Sequence, residues 1–173
     1  MVQSTRKRLI NRLTRIYQME GMNAMMFLGV MVILNASYGV QDLLSLSYGI
    51  LLACFILAQG TYYWWIKLCA LEEQNIPVKT VLKRFQKFKI QNKIGILLIP
   101  VVFLIQWYIS GAQFNESHFV GWAIFTNVFA ILEYINYYHR QLMIDNRHDL
   151  QYVLQNKKFK EASLFKDMRE NKI

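Results

Sequence analysis

The chain has 173 residues, 54% hydrophobic and 14% aromatic, with a net charge of +9. That is the length of one domain, but the apolar residues come in blocks too long for an ordinary soluble fold, and two cysteines exclude a disulfide framework. So basic a soluble domain would point to nucleic acid. Here all 20 Lys and Arg fall at or beyond one end of an apolar block, so the charge is assigned to topology and to anionic lipid, with no nucleic acid as partner.

Four stretches are long enough to cross roughly 30 Å of hydrocarbon: Glu20 to Tyr38, Leu43 to Ile66, Ile94 to Ala112 and Phe119 to Tyr138. The loops Gly39 to Asp42 and Gln113 to His118 contain no Lys or Arg. The positive-inside rule then places both termini and the central loop 67–93 in the cytoplasm. The expected fold is all-α, a four-transmembrane-helix bundle with basic amphipathic helices at the cytoplasmic interface. It divides into an interfacial helix over 1–18, a membrane domain over 19–138, and a cytoplasmic basic helical tail over 139–173.

In chain order, Leu9, Leu13 and Ile16 form an apolar stripe, and Arg6, Lys7, Arg8, Arg12 and Arg15 fill the rest of that first helix. The pattern fits a helix lying in the headgroup plane. A cleaved leader is set aside, because the basic region is long and no small-residue cleavage site follows it. Met19, Met22, Met25, Met26 and Met31 crowd the first span and read as flexible packing; no companion His or Cys cluster supports a metal or haem site.

In the second span Ser45, Gly49 and Ala53 recur every four residues, a line of small side chains that admits another helix closely, from the same chain or from a second copy. Tyr62, Tyr63, Trp64 and Trp65 precede Lys67 and read as an aromatic belt. Cys54 and Cys69 lie on one helix about 22 Å apart and cannot pair with each other. After Asn75-Ile76-Pro77, the residues Val78, Val81, Leu82, Phe85 and Phe88 keep helical spacing opposite Lys79, Lys83, Arg84 and Lys87, which predicts a second interfacial helix.

The fourth span is predicted to run without a break into the charged tail, so that Thr126, Glu133, Asn136, Tyr137 and Arg140 share a face. A rise of about 1.5 Å per residue puts Glu133 level with Gln59, Asn23 and the Ile96 carbonyl that Pro100 leaves without an amide partner. These groups with Asn136 are expected to form one intramembrane polar layer, either helix-registering glue or part of an ion path. His139, Asp145, His148 and Asp149 are metal-ligating types at unspecific spacing. With no H-E-x-x-H, phosphate-cradling glycine loop or G-x-S-x-G, no catalytic residue, metal or cofactor is assigned. Two short amphipathic stretches, Leu150 to Leu154 and Phe159 to Met168, need a surface to dock on.

The run EYINYYHRQLMIDNRHDL, with the later KEASLFKDM, resembles the tail of small uncharacterised bacterial polytopic membrane proteins. The resemblance implies a bacterial inner membrane and no activity. The function read from the sequence is a non-enzymatic binding or assembly protein that presents a basic cytoplasmic platform to a protein partner and to anionic lipid, alone or as a homo-oligomer. A small oligomeric ion or proton channel using Glu133 is the alternative, and an enzyme acting on a phosphorylated lipid the third reading.

Overall fold

The computed structural model describes residues 2–113, 119–144 and 147–173, without the side chains of 2–5 and 147–149. Helices α1 (Val2–Tyr38), α2 (Leu44–Leu71), α3 (Val78–Ile109), α4 (Val120–Tyr138), α5 (Arg147–Asn156) and α6 (Ser163–Glu170) follow in order. The fold is all-α. Among the described residues the one extended pairing is an isolated bridge between Arg140 and Glu161.

Three helices are long and apolar enough to cross a membrane, over Arg6–Tyr38, Leu44–Leu71 and Val78–Ile109. The fourth expected span, α4, is not among them. Its 19 residues include Asn127, Glu133, Asn136 and three tyrosines, which dilute an otherwise apolar helix.

No helix boundary falls at residue 18, and helix runs through most of 67–93. The 37 residues of α1 form one continuous helix, about 55 Å long. No proline falls between Tyr17 and the apolar run, and Gly21 alone costs only about 1 kcal/mol in a helix interior. Stopping there would orphan backbone groups that continuation satisfies. For the same reason α2 runs past Ile66 to Leu71 and α3 starts immediately after Pro77, so only residues 72–77 connect them. Pro77 occupies the N-cap of α3, where its missing N–H costs nothing.

α2 is the hub on which α1, α3 and α4 all pack. Its apolar stretch is 67% buried, against 0% for α1 and 6% for α3. The Ser45-Gly49-Ala53 line faces α4 of the same chain: a Cβ on Gly49 would overlap the Thr126 hydroxyl and the Asn127 amide. The line is therefore filled from within the chain and is not open to a second copy.

Val81 and Phe85 are buried in one cluster with Tyr63 and Ile66 of α2 and Leu164 of α6, and Leu82 is buried too. They do not lie on a lipid surface as the amphipathic pattern predicts. The extension of α2 supplies an apolar face at the same level, and Phe85 packs on Tyr62 and Tyr63 with ring centroids 5.6 and 5.9 Å away. The four successive aromatics of α2, turned about 100° apart, also part company. Tyr62 stacks on Phe85, Tyr63 is buried, Trp64 reaches α1, and Trp65 alone is exposed.

Candidate functional site

α4 ends at Tyr138 and the chain turns back, so Arg140 never joins the face of Glu133. Asn136 holds that turn. Its Oδ1 accepts from the backbone N–H of Leu142 at 2.8 Å and of Met143 at 3.3 Å, while its Nδ2 donates to Glu133 at 3.4 Å. Arg140 instead bridges to Glu161, with Ala162 N–H donating to the His139 carbonyl and Gln141 N–H to that of Lys160. This pairing carries α6 onto the basic ends of α2 and α3. There the Asp167 carboxylate accepts from the Tyr63 hydroxyl and pairs with Lys67, both at 2.7 Å.

The predicted polar layer is two separate sites. Gln59 and Asn92 exchange side-chain amide bonds of 3.0 and 2.8 Å, and the Tyr138 hydroxyl donates to the Gln59 Oε1 at 2.7 Å. All three residues are buried. Pro100 is exposed inside α3. Adjacent side chains on a helix point about 100° apart, so Tyr137 serves the other side, toward α1. There it meets Glu20, whose carboxylate accepts from the Trp64 indole at 3.0 Å. Gly60 makes room for this meeting: a Cβ would collide with the Tyr137 ring and hydroxyl and with the Glu20 carboxylate.

Glu133, Asn23, Glu20, Asn136 and Tyr137 line a groove between α1 and α4 of about 820 Å³, floored by Leu57 of α2 and walled by Met19, Phe129 and Leu132. At its basic end Arg8, Arg12 and Arg15 form a row at intervals of four and three residues with Asn11 among them, and Leu142 and Met143 line the same end. Along α1 the lining thus changes from guanidinium through the apolar Ile16 and Met19 to the Glu20 carboxylate and the Asn23 amide.

The remaining expected residues lie elsewhere. Arg6 pairs with Glu73 at 3.0 Å and donates to the Leu71 carbonyl, pinning α1 to the end of α2. Arg84 donates to the Tyr62 hydroxyl at 3.1 Å, and Lys7, Lys79, Lys83 and Lys87 are exposed. His139 lies 3.3 Å from the Tyr134 hydroxyl and stacks against Phe165; partial burial and the charges of Lys89 and Lys93 hold its imidazole below the ordinary range. Asp145 and the side chains of His148 and Asp149 lie outside the described residues. Among those described, no group of three His, Cys, Asp or Glu is placed to hold a metal.

Asn92, Tyr138, Glu20 and Gly60 were not singled out from the sequence, and Trp64 was read only as part of an aromatic belt. Glu20 carried a signal, an acid at the head of an apolar run. Asn92 lay in a segment read as surface loop. Compared with known protein families, curated proteins and solved structures, the chain matches none.

Proposed function

We propose that the chain is a four-span integral membrane protein of a bacterial inner membrane, with both termini and the basic helix ends in the cytoplasm. It acts as a non-enzymatic binding and assembly protein, offering a rigid basic head to anionic lipid and to a protein partner. For α4 as the fourth span, the support is its outer face: Trp122, Ile124, Phe125, Val128 and Leu132 are exposed, and only an apolar solvent suits them. For the head, it is the docking of α6 through Asp167 on Tyr63 and Lys67, which joins α2, α3 and the tail into one body carrying Lys79, Lys83 and Lys87 on its surface. The closed Gln59 cluster favours binding over conduction, since its polar groups satisfy one another and leave no row of open ligands.

Reconstitution tests this reading. Cysteines introduced at Gln41 and Gln113 are expected to react from the side opposite Lys83, and the protein in nanodiscs is expected to retain anionic over zwitterionic lipid, less so after Lys79, Lys83 and Lys87 are changed to Gln. Ion or proton flux that vanishes in Glu133→Gln, or no anionic enrichment at all, overturns it.

A further inference from the structure

We propose that the seam between α2 and α3 seats one phospholipid whose head is a neutral polyol. Its chain lies against Phe55 and Phe88, its phosphate meets Arg84, and its head hydroxyls reach Asn75 and Thr80. The inference rests on the proposed reading of the basic helix ends as a lipid surface and names the class of lipid held there.

Two hollows meet end to end along this seam, and both are lined by Tyr62 and Arg84. The inner one, about 190 Å³, adds Phe55, Ala58 and Phe88, with Gln59 beside them. Gln59 is spent on Asn92 and Tyr138, which leaves that hollow apolar in effect. The outer one, about 270 Å³, adds Trp65, Gln74, Asn75 and Thr80. Both walls run in the same order: α2 passes from Phe55 to Tyr62 to Trp65 and on to the 72–77 connection, while α3 leads from Phe88 back to Arg84 and Thr80. From the middle of the apolar spans toward their basic end, phenyl rings thus give way to a guanidinium, and the guanidinium to amides and a hydroxyl. A phospholipid presents chain, phosphate and head in that sequence. Phe55 lies about 10 Å deeper than Tyr62 along α2, and at 40% exposure it is open to lipid.

Arg84 is exposed, and it donates to the Tyr62 hydroxyl at 3.1 Å with its guanidinium 5.6 Å from the Tyr62 ring. Among the described residues no carboxylate pairs with it. The bond to Tyr62 holds the guanidinium where the hollows join and leaves its other N–H donors for a phosphate, which a planar guanidinium grips by two parallel bonds. Beyond that point Trp65 stacks on Tyr62 with ring centroids 6.1 Å apart, an aromatic wall beside the polar rim. The rim offers the Asn75 amide, the Thr80 hydroxyl and the oxygen of Gln74, whose nitrogen is bonded to Glu72 at 3.2 Å. Amides and hydroxyls both donate and accept, as the hydroxyls of a polyol do. Among the described residues no carboxylate lines this hollow to receive the ammonium of a choline or ethanolamine head.

The test is retention in nanodiscs, read by native mass spectrometry, with lipids of identical chains as probes: phosphatidylglycerol, phosphatidylethanolamine, and phosphatidylethanol, which keeps the phosphodiester and its charge but lacks the polyol. One phosphatidylglycerol per chain is expected, held about five-fold over phosphatidylethanol, the worth of one net hydrogen bond, and further still over phosphatidylethanolamine. Arg84→Gln should weaken both anionic lipids about five-fold. Asn75→Ala combined with Thr80→Val, both exposed, should erase the preference between them and leave phosphatidylethanol as it was; this pair is read alone if Arg84→Gln lowers the melting temperature. Lys166→Gln, the same loss of charge on the exposed side of α6, should change neither. Equal retention of the two anionic lipids overturns the proposal. So does a preference that survives the Asn75 and Thr80 changes, retention indifferent to Arg84→Gln in a stable protein, or displacement by water-soluble glycerol phosphate. Anionic enrichment without that preference removes this site and leaves the proposed function standing.

Discussion

The Gln59 cluster and the α1–α4 groove stand at neighbouring levels of α4 and are built from the same kinds of side chain, yet they have opposite characters. In the first, α3 covers α2 and α4, and Asn92 arrives with the donor and acceptor that Gln59 lacks. In the second, α1 and α4 both lean on α2 and, among the described residues, no helix is laid over the seam between them, so Glu133 faces an opening. Counting polar residues inside an apolar helix does not locate a binding site. What decides is whether a further helix closes over them.

Perturbations at the two places should separate them by magnitude. Gly60→Ala puts a methyl group where Tyr137 and Glu20 meet, and a well-packed site answers overpacking with a loss of about 3 kcal/mol, measurable as a lowered melting temperature in detergent. Asn92→Leu strips Gln59 of a buried partner and should cost about 2 kcal/mol in the same assay; a loss below that of an exposed substitution would mean the cluster is not closed. Asp167→Asn breaks the pairing of α6 with Lys67 and Tyr63, a largely buried contact. It should cost about 1 kcal/mol, seen as faster amide exchange and proteolysis of residues 159–173 while α2 and α4 stay protected.

A smaller effect follows from His139. Its folded-state affinity for protons is depressed by partial burial and by Lys89 and Lys93. Protonation therefore favours the unfolded tail: docking is unaffected above the ordinary imidazole range and weakens as pH falls through it. Protection factors in α6, which correct for the intrinsic slowing of amide exchange in acid, should fall on acidification, and the fall should vanish in His139→Gln. The smallest change is predicted for Glu133→Gln, within about 0.5 kcal/mol of the parent, because the carboxylate faces the groove and is not part of a closed network.

Much of the framework was legible along the chain. The all-helical class and the spans of α2 and α3 follow from unbroken apolar runs, and the small-residue line on α2 does mark a close helix contact. The second interfacial helix was misread because amphipathicity reports only that one face is apolar. Val81, Leu82 and Phe85 show the same stripe whether it meets lipid or the extension of α2. The break after Tyr138 was hidden because its stop signal is a side chain, Asn136, bonding forward to Leu142 and Met143. Axial counting put Gln59 level with Glu133, whereas its bond is to Tyr138, five residues further on, and height in any case carries no azimuth.

By itself the sequence determined where apolar helices run and that positive charge gathers at one end of them, because hydrophobic length and charge position are local properties. Only the tertiary structure decided which helix is the hub, that Tyr137 and Tyr138 serve two different sites, and which polar side chains are closed off and which remain open. Those outcomes depend on how helices are rotated and covered by one another, a matter of packing between residues far apart in the chain.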